Sequence, residues 1–255
     1  MKGFTMQLSK TTYLVLIAVI TIMTLSVTVF KPGRGSVSDQ KNVRQPQVPL
    51  YDREDRYPVV ESEEVEPSDP IKRAKLRKQK QRYDKNAPFR HPGPNHGEVA
   101  FLPEWQFNFP ALPVAQSDAI VIGEVLKAEA HRSENKLNVF SDFEMKVDEV
   151  LKGSNLSTRS VINVQRVGGF VNYPNGKKVL FRLVGNGMPA VGTRYALFLK
   201  LGDEDYSILT AYELGAEGVL PLDNSRQFEV YHGKNEAEFL NALREAISQA
   251  APPQE

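Results

Sequence analysis

The run Val139-Phe-Ser-Asp-Phe-Glu-Met-Lys-Val-Asp-Glu-Val-Leu151 decides the fold. Val139, Ser141, Phe143, Met145 and Val147 fall on one side of a two-residue period. Phe140, Asp142, Glu144, Lys146 and Asp148 fall on the other. That alternation specifies a long strand with one buried face. It slips at Glu149-Val150-Leu151, where a bulge is expected, and Lys152-Gly153-Ser154-Asn155 ends it. Upstream, Ser117-Asp118 precedes Ala119-Ile-Val-Ile-Gly-Glu-Val-Leu126, a partner strand continuing to Ala130, with a polar turn over Ser133 to Lys136.

Downstream, Val161-Ile-Asn-Val-Gln-Arg-Val167 reads as a third strand broken by Gly168-Gly169. Phe170 to Tyr173 and Lys178 to Val184 flank Pro174-Asn175-Gly176-Lys177, a hairpin signal. Arg194 to Leu201 and Tyr206 to Ala211 form a further hairpin, and short strands are expected at Gly218–Leu222 and Gln227–Tyr231. A helix over 235–250 closes the chain. Asn235 is its cap, and Phe239, Leu240, Leu243 and Ile247 form one apolar stripe. Residues 99–255 thus form one mainly β domain: a small closed antiparallel Greek-key barrel with an inserted hairpin and a C-terminal helix. An immunoglobulin-like sandwich is the alternative, but Trp105 precedes the strands and lies on no central one.

The N-terminal part differs in kind. The chain has 255 residues, 32 Lys+Arg against 31 Asp+Glu, and no Cys, which excludes disulfides, thiolate metal sites and a cysteine nucleophile. Residues 1–98 carry 17 bases and 11 acids, residues 99–255 carry 15 and 20. No charge interrupts the chain between Lys10 and Lys31, and these 20 residues would span about 30 Å as a helix, a bilayer core. Residues 1–30 are read as a membrane anchor with the N-terminus inside and the domain extracytoplasmic. A cleaved secretory signal is the competing reading. Residues 31–98 are read as a disordered Pro-rich linker: 12 of the 17 prolines fall between Pro32 and Pro113. Its acidic block, Asp52 to Asp69, precedes a basic block, Lys72 to Arg90. Asp69-Pro70 is a helix start signal, but Ile71 and Leu76 are its only sizeable apolar residues before Tyr83, so a lone polar helix is expected. Lys72, Arg73, Lys75, Arg77, Lys78, Lys80 and Arg82 are the candidate anionic-surface residues. The competing reading is a self-neutralising linker whose two blocks attract each other.

The stretch from Ser117 to Val125, then Phe143-Glu-Met-Lys-Val-Asp-Glu-Val-Leu-Lys-Gly153 and Tyr195-Ala-Leu-Phe-Leu199, resembles netrin-module barrels, the OB-like domains shared with tissue inhibitors of metalloproteinases. It is similar also to uncharacterised bacterial exported domains of the same layout. The resemblance covers about residues 117–222 and implies an OB-like barrel. Those inhibitors act through an N-terminal cysteine on the protease zinc. Without cysteine, neither that chemistry nor the module's disulfides carry over.

Catalytic signatures are few. No G-x-S-x-G occurs, and Gly185-Asn-Gly187 lacks the Lys-Ser/Thr of a phosphate cradle. His91 and His96 in a Pro/Gly stretch read as incidental rather than metal-ligating, and His131 and His232 as surface histidines. Asp203-Glu204-Asp205 reads as an acidic turn. The candidate ligand set is Arg166, Phe170, Tyr173, Arg182 and Tyr195, since OB strand faces take sugars or oligonucleotides. The acidic balance of 99–255 opposes nucleic acid. The expectation is a membrane-tethered extracytoplasmic binding module for an envelope protein or polysaccharide, with no cofactor, metal or catalysis. An exported enzyme or enzyme inhibitor with a loop-built site is the alternative.

Overall fold

The computed structural model describes residues 53–86, 98–101, 109–203 and 205–250. The chain divides into residues 1–45 and 46–255, and all described residues belong to the second unit. The expected anchor, His91, His96 and Trp105 lie outside the described residues. Among the described residues no helix is long and apolar enough to cross a membrane.

The architecture is mainly β with a C-terminal helix. In chain order the elements are β1 (Val59–Glu61), α1 (Pro70–Asp84), β2 (Glu98–Phe101), β3 (Ala119–Arg132), β4 (Val139–Lys152), β5 (Val161–Val167), β6 (Gly169–Asn172), β7 (Lys178–Leu183), β8 (Arg194–Leu201), β9 (Tyr206–Gly215), β10 (Gly218–Pro221) and α2 (Glu236–Ala250). Five strands close a ring. β3 pairs antiparallel with β4 and β8, β4 with β5, and β8 with β9, and the parallel β5–β9 pair completes the circuit. The alternation of β4 is realised as read: Phe143, Met145 and Val147 join Val121, Val125, Val164, Leu197, Leu199 and Ile208 in one buried cluster fed by all five strands. The bulge appears where expected, as register shifts opposite Ile120 to Gly123.

The other face of β3, β8 and β9 presents Ile120, Ile122, Phe198 and Tyr212 to Phe239, Leu240 and Leu243 of α2. Asn235 caps α2 by accepting from the Ala237 N–H at 2.8 Å. The inserted hairpin β6–β7 is joined by β1 and β2, both in parallel pairing, as a second four-stranded sheet. Gly168 (φ +121°) turns the chain from ring to sheet, and a Cβ there would lie 2.6 Å from the Met188 methyl and 2.9 Å from the Phe181 carbonyl.

Two expectations are corrected. The strand expected at Gln227–Tyr231 is a 3-10 turn over Phe228–Tyr231. Its three-residue period brings Phe228 and Tyr231 to the same Tyr212 ring, at 6.2 and 5.7 Å. The linker expected over 31–98 is in part folded structure: within it, Tyr57, Val60, Leu76 and Tyr83 are buried. The helix begins where Asp69-Pro70 indicates, with Asp69 accepting from the Ile71 N–H at 2.8 Å. It is not solitary, because Leu76 and Tyr83 share one face and β4 offers Phe140 to receive them, while Ile71 stays exposed.

Candidate functional site

Phe140 is the exception on the polar side of β4, and it explains where α1 goes. Tyr83 stacks on it with ring centroids 4.1 Å apart and planes 9° from parallel, and Leu76 completes the contact. Around this small apolar centre the contacts are polar. Gln79 donates to Asp205 Oδ2 at 2.8 Å, and the Lys75 ammonium lies 2.9 Å from Asp205 Oδ1. Arg82 donates to Gln165 Oε1, which also accepts from the Tyr83 hydroxyl at 3.2 Å. Lys80 meets Glu64 at 2.8 Å, and Glu64 Oε1 lies 2.7 Å from His131 Nδ1. On the other side of the imidazole, Asp142 is 3.6 Å from Nε2.

Two connections flank the helix. In the β3–β4 connection, Asn138 donates to the Tyr83 carbonyl at 2.8 Å and the Asn135 N–H donates to Asp84 at 2.9 Å. In the β8–β9 connection sits Asp205, itself only 5% exposed. So α1 crosses the outward face of β4 and β5, held between the loops at either side.

The electrostatics follow from burial and pairing. Burial pushes the Asp142 carboxyl above its ordinary range, and the attraction of His131 only partly offsets this. Burial acts on Glu64 the same way, yet hydrogen bonds from His131 and Lys80 outweigh it and hold its carboxyl below the usual range. Burial also raises the Tyr83 hydroxyl, keeping it a neutral donor. His131 is therefore no incidental surface residue: its side chain is 14% exposed and contacts two carboxylates and the Phe140 ring. Only the Glu64 contact is a hydrogen bond, and no hydroxyl or thiol nucleophile is among these partners. His232 is exposed and pairs with Glu229 at 2.9 Å. Among the described residues no cluster of His, Asp and Glu could hold a metal ion.

The five candidate ligand residues do not share a surface. Tyr195 is fully buried, and its hydroxyl accepts from the Ala190 N–H at 3.0 Å and from Arg56 at 3.2 Å. That burial pushes its hydroxyl up to about 12. Phe170 is buried against Tyr57. Arg166 is buried and bonded to Asp223, which also accepts from the Gly187 N–H. Tyr173 and Arg182 are half-buried on the second sheet's hairpin, Tyr173 under the Arg132 guanidinium. On β5 the side chain aimed at the covered face is Gln165, one residue from Arg166, and a one-residue step on a strand reverses the direction.

Within the basic set, Arg77 forms a two-pronged bond to Glu66 at 2.7 and 2.8 Å. Arg73 bonds the Pro67 and Ser68 carbonyls, while Lys75, Lys80 and Arg82 are held as above. Lys72 and Lys78 are exposed, and Lys78 is engaged as well. The acidic block thus folds back on the basic one.

The sequence reading missed Glu64, Gln79, Asp142, Gln165 and Asp205. Phe140, an aromatic on an otherwise charged strand face, was the signal that something covers it.

A separate cleft of about 460 Å³ lies between Arg53–Pro58 and Ala128, Ala190, Val191 and Thr193. Arg56 at its wall is tied to Glu213 at 2.8 Å.

No protein-family model matches the chain. A search of curated proteins finds no match either.

Proposed function

We propose that the chain is a membrane-tethered, extracytoplasmic binding module without catalysis, its ring an OB-like Greek-key barrel taking a protein or polysaccharide partner. In order of appearance the ring strands run first, second, third, fifth, fourth and back to the first, with the third and fifth parallel. Such barrels take their ligands on the second and third strands, between the loop joining the first two strands and the loop joining the last two. The observation that carries the reading is that this same place, β4 and β5 between 133–138 and 202–205, engages a peptide element, α1, by mostly polar contacts. The charge-free run at 11–30 supports the tether.

The test is cross-linking in intact cells, followed by capture of the tagged full-length chain and of its Asp205→Lys variant. Envelope proteins or polymers captured by the wild type and lost with the variant are expected. Identical capture by both, or none by either, contradicts the proposal. Protease protection on intact cells or spheroplasts tests orientation, and full protection of 99–255 reverses it.

One observation favours the exported-enzyme alternative: His131 between Glu64 and Asp142. It lacks a nucleophile among its partners, so it ranks second.

A further inference from the structure

We infer that the β4–β5 face is a receptor for a basic, mostly polar helix bearing an aromatic residue on the face it buries, that α1 is the occupant supplied by the chain itself, and that a partner protein's helix of the same chemistry replaces it. The inference rests on the proposed reading of this face as the ligand face and names its partner class.

The first argument is charge complementarity. The ring side contributes the Asp205 carboxylate and the Gln165 amide oxygen, and the helix side contributes Lys75, Gln79, Arg82 and the Tyr83 hydroxyl. Lys80 is matched through Glu64, which stands between the helix and His131. A face carrying acids and one aromatic ring selects a helix with bases flanking one aromatic residue.

The second argument is how little apolar surface holds α1. Leu76 and Tyr83 on Phe140, with Val167 alongside, make up its whole apolar cluster. By contrast α2 buries Phe239, Leu240 and Leu243 in a cluster of twelve buried residues. A 15-residue helix of such polar composition has little stability when detached. Its attachment is therefore mostly polar, with one direct ion pair to the ring, Lys75–Asp205, resembling an exchangeable interface more than a core.

The third argument is imperfect fit. Asp142 and Gln165 are opposite each other on β4 and β5, and the Gln165 amide supports the carboxylate only weakly, leaving Asp142 Oδ1 and Gln165 Nε2 buried without a hydrogen bond of good geometry. An occupant bringing one more donor to Asp142 would bind the face better than α1 does.

A fluorescein-labelled peptide of residues 67–86 is the probe, read by anisotropy against the full-length chain. Wild type is compared with Tyr83→Ala, whose own helix is weakened. The variant is expected to bind the peptide at least tenfold tighter, because a competitor tethered at high effective concentration has been removed. Adding Asp205→Lys in the same background is expected to lose at least tenfold. Equal binding by wild type and Tyr83→Ala, with near-ultraviolet circular dichroism unchanged, overturns the inference. So does equal binding of a peptide in which Leu76 and Tyr83 are both alanine, which would reduce the effect to bulk charge attraction. Should Tyr83→Ala not fold, Lys75→Glu with Arg82→Glu serves as the weakened chain under the same criteria. Peptide binding combined with cellular capture indifferent to Asp205→Lys supports the receptor face and contradicts the module reading. Absent peptide binding with face-dependent capture does the reverse.

Discussion

At the scale of single residues, Glu64 and Asp142 flank one imidazole and respond to pH with opposite sign. Glu64 has its folded carboxyl pKa depressed, so its stabilisation is present at neutral pH and lost as pH falls through that value. Asp142 has its pKa raised by burial, so its charged form opposes folding at neutral pH, and the penalty lifts as pH falls through the raised value. Glu64→Gln is expected to lower Tm at pH 7 by several degrees, on the order of 1–3 kcal/mol for a charged hydrogen bond, and the deficit closes below pH 4. Asp142→Asn is expected to hold or raise Tm at pH 7, with its advantage vanishing below pH 4. Thermal melts across pH check both, and parallel curves for the two variants contradict the assignment. The pair Arg166–Asp223 is a different case, buried on both sides. Arg166→Met strands a buried carboxylate and is expected to destabilise by about 3–5 kcal/mol, much of it recovered when Asp223→Leu is added. Denaturant midpoints of the single and double variants decide this.

At the scale of elements, legibility tracks how local the determinants are. The third strand was read with its observed ends, Val161 to Val167, because glycines and a two-residue period mark it. The hairpin read over Phe170 to Tyr173 and Lys178 to Val184, found at Gly169–Asn172 and Lys178–Leu183, and the α2 cap are readable for the same reason: their signals lie within a few residues. The docking of α1 was not readable. Its partners Gln165 and Asp205 lie 83 and 126 residues from Arg82 and Gln79. Its own composition describes a solvated helix, and only Phe140, two strands away, hinted otherwise. His131 was misjudged likewise, since Glu64 stands 67 residues upstream. On β5, Gln165 faces α1 and Arg166 faces Asp223, and a residue list without a register does not distinguish the two directions. For α1 itself, Tyr83→Ala removes a stacked, buried ring at a loss of about 3–5 kcal/mol. The expected result is protease cleavage within 70–84 while the ring's strands persist. Protection of 70–84 equal to that in the wild type, or loss of the whole fold in both Tyr83→Ala and Lys75→Glu/Arg82→Glu, contradicts the view of α1 as a separately docked element.

At the scale of the molecule, one ion pair, Lys75–Asp205, joins the basic helix directly to the β domain, while Arg77 and Lys80 pair with Glu66 and Glu64 of the segment before it. Asp205 is buried against a half-exposed Lys75, so the attachment is partly screened and weakens with salt. Raising ionic strength is expected to accelerate proteolysis within 70–84 and leave β3, β4 and β8 unaffected.

Native-state hydrogen exchange on the full-length chain tests the central claim most directly, because it reads the opening of α1 separately from that of the ring. The account predicts that amides of 70–84 exchange through a local opening at least a hundredfold more often than those of β3, β4 and β8, and more so in Asp205→Lys. Protection of α1 equal to that of the ring strands, unchanged by Asp205→Lys, would contradict it.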